Sequence, residues 1–323
     1  MSNTEAAPDE VACGASPFDA VSTGILHPRD VPLGGPRAIR VRRTLPQRER
    51  SMVGAWCFAD HYGPHSVASG TGMDVPPHPH TGLQTVSWLF EGEIEHRDSA
   101  GVHAMVRPGE LNLMTAGAGI CHSEVSTADT RTLHGAQLWV ALPDSDRDTA
   151  RDFAHYAPTP RTVGDATVRV FLGELAGDRS PVHAFTPLLG AQVDVAPRST
   201  ATFDVDRGFE HGVLLDQGDV EARGDALDTG DLWYQSPGAD EITLVNRGDA
   251  PARVLILGGP PFAEEIVIWW NFVGRTHDEI VEFRDEWHHR GERFGEVSGY
   301  PGPSLPAPPL PNGRLRPRPN PGH

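Results

Sequence analysis

PPHPHTGLQTVSWLFEG, residues 76–92, carries two histidines one residue apart and then an apolar, β-branched and aromatic run. On a strand, residues i and i+2 project from one face, so His78 and His80 would aim two imidazoles at one point. The run LQTVSWLF, the Glu91-Gly92 turn and the following EIEHRDS read as a β-hairpin. About forty residues on, GAGICHSE (117–124) repeats the spacing with His122 and Glu124. An HxH pair alone is weak evidence in a chain with 16 His. A second pair at the same spacing, beside turns in an all-β stretch, makes a four-donor metal site the better reading. Cys121 alternates to the opposite face and reads as a buried small hydrophobe.

Outward from this segment the chain is a series of short strands. RAIRVRRTL (37–45), VHAMV (102–106), LNLMTAG (111–117) and HGAQLWVAL (134–142) complete a first group, which defines a domain over 21–142. Residues 143–165 turn charged and Pro-rich and read as a linker. A second strand group follows over 166–299, including AQVDVA, GVLLDQGDVEA, DLWYQS and ARVLILGG. PGELNLMTAG and TGDLWYQSPG resemble each other, which suggests an internal duplication. One helix is expected near 277–290. Thr276 and Glu279 have capping-box spacing, and Ile280, Phe283 and Trp287 share a face. The polar residues 1–20 read as a flexible N-terminus, and the Pro-rich stretch 300–323 as a disordered tail. The adjacent Trp269 and Trp270 would face opposite ways on a strand.

Composition narrows the function. The 35 Gly and 30 Pro are spread as turn punctuation. With 44 Asp+Glu against 27 Lys+Arg, the net charge of −17 repels phosphate backbones and anionic lipid. Direct nucleic-acid and membrane partners are therefore not expected. Three Cys without a CxxC pair fit a reducing compartment. The N-terminus lacks the basic and apolar regions of a signal peptide, and no apolar run approaches ~20 residues. A cytoplasmic location is expected.

HPHTGLQTVSWLFEGEIEHRDSAG followed by PGELNLMTAGAGICHSE closely resembles the pirin family of the cupin superfamily. The family's usual wording is near HPHRGFETVSYLLEG and PGDLQWMTAGRGILHAE. The resemblance spans residues 35–142 strongly and the second half more loosely. It implies an all-β fold of two consecutive cupin (jelly-roll) β-barrel domains. The family's metal ligands fall on His78, His80, His122 and Glu124. The second barrel would lack metal ligands. Gln84 departs from the pattern, which has Glu at that place.

Three imidazoles and one carboxylate suit a divalent transition metal: Fe(II) by expectation, with Ni, Cu, Mn or Zn as alternatives. Open coordination positions would admit substrate or dioxygen. Pirins are similar to quercetin 2,3-dioxygenases. The implied activity is opening of a flavonol ring with dioxygen and release of carbon monoxide. Glu124, the only acid of the four, is expected to serve as both ligand and catalytic base. The alternative is a metal- or redox-sensing regulator that acts through a protein partner without turnover. His61, in FADHYGPH, is placed at the pocket mouth or on a turn. His65, His96 and His103 go to turns or strand faces, and Trp88 and Phe90 to the core.

Overall fold

The computed structural model describes residues 22–33, 39–67 and 72–317. The expected flexible segment 1–20 lies outside them. The chain folds as two β-barrels of one design. In the first, a seven-stranded sheet runs in the order Asp152–Tyr156, Leu111–Thr115, Leu83–Glu91, Thr132–Ala141, Trp56–Ser66, Ile39–Leu45, Arg29–Leu33. It faces a four-stranded sheet in the order Asp74–His80, Ile120–Ser126, Ile94–Asp98, His103–Val106. In the second barrel the seven strands are Thr23–Leu26, Leu232–Gln235, Glu210–Gln217, Ala252–Gly259, Leu189–Val195, Ala166–Leu172 and Arg161–Val163. The facing four are Thr200–Asp204, Glu241–Asn246, Val220–Ala222 and Asp225–Leu227. Strand for strand, the two orders correspond, as the repeated Gly-Asp/Glu turn suggested.

The domain boundaries differ from the expectation in four places, the first being Arg161–Val163, read as linker, which pairs with Ala166–Leu172 at an edge of the second barrel. Thr23–Leu26, placed by sequence in the first domain, pairs with Leu232–Gln235 and takes an edge of the second barrel. Asp152–Tyr156, read as linker, pairs with Leu111–Thr115 and takes the corresponding edge of the first. All three are edge strands, so their composition is half-exposed and weakly patterned. The helix His277–His288 starts on the expected capping box and buries Ile280 and Phe283. It was grouped with the second domain, yet its cluster includes Cys121 of the first barrel, with Trp269, Trp270, Phe272 and Phe294.

Trp269 and Trp270 are both buried, at 3% and 2% exposure. They do not alternate, because Trp270 sits at φ +53° in the turn between Val267–Trp269 and Phe272–Gly274.

The expected disordered tail is extended but packed over residues 300–317. The Tyr300 hydroxyl donates to Asp74 and the Trp287 indole to the Leu305 carbonyl, while Ala307 and Leu315 are buried. The physical reason is a sheet edge. The strand Asp74–His80 carries Pro76, Pro77 and Pro79, which cannot donate to a ladder, so it lies at the edge of its sheet. The Leu305 N–H donates to the Pro77 carbonyl on that edge.

The two barrels share a core. Trp56, Trp88 and Leu138 of the first join Phe171, Leu214 and Leu257 of the second in one buried cluster. The Trp88 indole donates to Gln192, and Trp56 donates to the carbonyls of Leu189 and Gly258. No helix of the described residues is long and apolar enough to cross a membrane.

Candidate metal centre

The strands Asp74–His80 and Ile120–Ser126 are hydrogen-bonded antiparallel neighbours, with His122 opposite His78 and Ile120 opposite His80. This register carries all three imidazoles into the first barrel, and each of the three residues is 0% exposed. Their ligand atoms lie within 4.8 Å of one another. Glu124 is also 0% exposed, but a bulge between His122 and Glu124 shifts its register to Val75. Its carboxylate groups with His122 and His96 rather than with His78 and His80. Cys121 faces the other way, its thiol toward the Gly295 carbonyl, and burial pushes that thiol up to about 11.

Backbone carbonyls set the tautomers. His78 Nδ1 lies 2.8 Å from the Pro76 carbonyl and His80 Nδ1 3.1 Å from that of Asn271. A carbonyl only accepts, so each Nδ1 carries the proton and each Nε2 keeps its lone pair. His122 is held by a chain of side chains. Asp98 accepts from His96 Nε2 at 3.2 Å, and His96 Nδ1 meets His122 Nδ1 at 3.3 Å. The backbone N–H groups of Ala100 and Val102 donate to the other oxygen of Asp98. The ionised carboxylate draws the His96 proton to Nε2, so His122 donates from Nδ1 and presents Nε2 inward.

These constraints test whether an ion fits. The Nε2 atoms of His80 and His122 are 3.1 Å apart with both lone pairs facing inward, and His78 Nε2 has no hydrogen-bond partner. Facing lone pairs repel unless a cation lies between them. A 3.1 Å separation suits two nitrogens about 2.1 Å from one ion at about 90°. Burial pushes His78 down to about 4, and burial and then the other imidazoles push His122 well below 6.5. Neutral imidazoles are the ligating form. The donor set fits a divalent transition metal.

Sequence reasoning missed two parts. His96, expected on a turn or strand face, is 3% exposed and touches His122. Its signal was present: EHRD places His96 and Asp98 at i, i+2 on the strand Ile94–Asp98, the other neighbour of Ile120–Ser126. We expect His96→Ala to weaken metal binding by about 10- to 100-fold, read by competition with a chelator. The second part, the Asn271 carbonyl, comes from the hairpin 267–274. That hairpin closes on Gly82, where an added Cβ would lie 2.4 Å from the Val273 carbonyl oxygen and φ is +65°. Nothing local in the sequence announces this contact.

Gln84 takes no part. It shares the interbarrel face of its strand with Val86 and Trp88 and donates to Thr115. Thr85 and Ser87 take the inward face, so the missing Glu costs the site no ligand. Phe90 packs partly buried against the same interbarrel cluster. His61 is at neither a pocket mouth nor a turn: it is buried on the strand Trp56–Ser66 against Asp216 of the second barrel. His65 and His103 lie on strands, bonded to the Arg40 carbonyl and to Glu95.

In the second barrel the corresponding strands, Thr200–Asp204 and Glu241–Asn246, turn Ala201, Phe203, Ile242 and Leu244 into the core. Among the described residues the equivalent position is therefore apolar.

Comparison with known proteins agrees with this architecture. The pirin family model matches residues 38–140, and the model of the pirin C-terminal cupin domain matches 190–295. A Pseudomonas aeruginosa protein with the provisional name quercetin 2,3-dioxygenase is 44% identical over 284 residues, covering 88% of this chain and 89% of its own. A pirin-like protein of Caulobacter vibrioides is 36% identical, covering 76% and 87%. The crystal structure of quercetin 2,3-dioxygenase from Acinetobacter baumannii superposes with a TM-score of 0.86 at 38% identity, covering 91% of this chain and 97% of that one. The chain belongs to the pirin family.

Proposed function

We propose that the protein is a metal-dependent dioxygenase of quercetin 2,3-dioxygenase type, with His78, His80, His122 and Glu124 holding one divalent ion, Fe(II) by preference. The observation that carries this reading is the set of three buried, neutral imidazoles whose Nε2 atoms face one another beside a buried carboxylate. The similarity to the Acinetobacter baumannii quercetin 2,3-dioxygenase and to the Pseudomonas aeruginosa protein provisionally given that name supports it. The reaction joins a flavonol and dioxygen, opens the heterocyclic ring to an ester and releases one carbon as carbon monoxide. An ion held here supplies Lewis acidity toward the flavonol 3-hydroxyl and, if redox-active, electrons toward dioxygen.

The chain's own residues handle the proton. Glu124 takes the 3-hydroxyl proton on a carboxylate oxygen. Ser87 Oγ lies 3.3 Å from Glu124 Oε1 and 2.9 Å from Gln137 Oε1. Its single proton can serve only one of them. When Glu124 is ionised, Ser87 donates to it. When Glu124 is protonated, Glu124 donates to Ser87, and Ser87 turns its own proton to Gln137. Both charge states of the base are thus hydrogen-bonded.

We expect Glu124→Gln to lower kcat by about 10²- to 10⁴-fold while retaining the ion through the three imidazoles. Full turnover at full metal occupancy would remove the base role. The function itself is tested by dioxygen uptake and carbon monoxide release with quercetin, using protein reconstituted with Fe, Ni, Cu, Mn or Zn. One carbon monoxide per quercetin consumed is expected. Full occupancy with no turnover for any ion would leave the metal- or redox-sensing regulator as the reading.

A further inference from the structure

Among the described residues the second barrel holds no metal cluster of its own, yet it has a cavity. A space of about 820 Å³ opens between its two sheets, within the range of small-molecule sites. Phe203, Phe209, Leu188 and Leu189 form apolar walls, and Thr186 and His211 also line it.

His211 does not belong to an ordinary core. Its strand, Glu210–Gln217, turns Val213 and Leu215 into the second-barrel cluster and Leu214 into the interbarrel one. Alternation therefore puts His211 inside the barrel. It is 0% exposed, and neither Nδ1 nor Nε2 has a hydrogen-bond partner. The opposite residue is Gly258, where an added Cβ would lie 3.0 Å from His211 Cδ2, so the glycine keeps room for the ring. Thr186 Oγ1, also lining the cavity, is buried and unpartnered. On the strand beside His211, its register partner Gln235 has an unpartnered Nε2. Buried polar atoms are normally satisfied. Here two residues with unsatisfied polar atoms, His211 and Thr186, line one cavity.

We propose that the second barrel is a separate binding site for a small, uncharged, hydroxyl-bearing aromatic molecule, gripped by His211 and Thr186. A neutral imidazole offers one donor and one acceptor, which matches a phenolic hydroxyl. The two phenylalanines supply faces for an aromatic ring. Charge selects against anions. Glu174, Asp204 and Asp206 line the cavity with one cation, Arg179, which is already paired to Glu174. The site is independent of the metal centre, which lies in the other barrel.

The test is fluorescence titration of the metal-free full chain with 2-naphthol at pH 7.5, and with 2-naphthoate as the anionic counterpart of similar shape. Saturable binding of 2-naphthol at one site per chain is expected, at least tenfold tighter than 2-naphthoate. His211→Leu should weaken it at least tenfold, and His122→Ala in the first barrel should leave it within twofold. Thr186→Val, which keeps the shape and removes the hydroxyl, should weaken it about threefold and decides the matter should His211→Leu not fold. No binding up to the solubility limit, binding that neither variant weakens, or equal affinity for 2-naphthoate would each overturn the proposal.

Discussion

His122→Ala should release the ion and cut turnover by more than about 100-fold, because it removes more than a distant supporting contact does. His122 is the hinge of the centre. Its Nε2 meets that of His80, its Nδ1 meets His96, and its register partner is His78. The substitution would also remove the ring that His96, itself paired to Asp98, holds by its Nδ1. Metal content by mass spectrometry and steady-state dioxygen uptake read the two losses separately. An alanine variant that keeps stoichiometric ion and at least half of its activity would remove His122 from the ligand set.

Asp216→Ala should destabilise the protein by about 1–3 kcal/mol, the cost of leaving the buried His61 donor without its acceptor, while Arg253 keeps its pairing to Asp194. Asp216 belongs to the second barrel and is 2% exposed. Its Oδ1 accepts from His61 at 2.6 Å and lies 2.5 Å from His134 Nε2, both of the first barrel, and its Oδ2 accepts from Arg253 at 3.2 Å. Arg42 Nε donates to His61 Nδ1, which leaves His61 donating from Nε2 to the carboxylate. The three groups have the make-up of a metal cluster, yet these hydrogen bonds already satisfy His61. The cluster therefore acts as a clamp between barrels.

Chemical denaturation should show the loss in Asp216→Ala, and Asp216→Asn should fall between it and the parent. The clamp also sets a pH dependence. His134 and then His61 hold the Asp216 carboxyl down at about 2, against 3.8 for the unperturbed group. A lowered acid stabilises the fold above its unfolded pKa and loses that contribution as pH falls through the folded one. The parent should therefore lose this share of its stability between about pH 4 and pH 2, and the Ala variant should not.

How much of this was legible in the chain follows from the range of each signal. The same-face rule picks out His78, His80, His122 and Glu124 from two tripeptides, because strand alternation is local, and the structure brings the three imidazoles together and sets Glu124 beside His122 and His96. The same rule applied to EHRD would have found His96. Asp216 could not be found this way, since nothing in LLDQGD shows that its partners lie 155 residues earlier on His61. The exchange of edge strands between barrels was equally hidden. Edge strands pair through backbone atoms, and their side chains are only half constrained. The packed tail misled for the opposite reason. Its composition cannot build a core, but it needed only to cover an edge and a helix already built.

The most direct test of the account is the first coordination shell of the Fe(II)-loaded protein, measured by X-ray absorption with metal content determined on the same sample. One ion per chain, three imidazole nitrogens, oxygen neighbours and no sulfur is the predicted result. Two or fewer imidazoles, a sulfur scatterer from Cys121, or no ion retained after dialysis would contradict it.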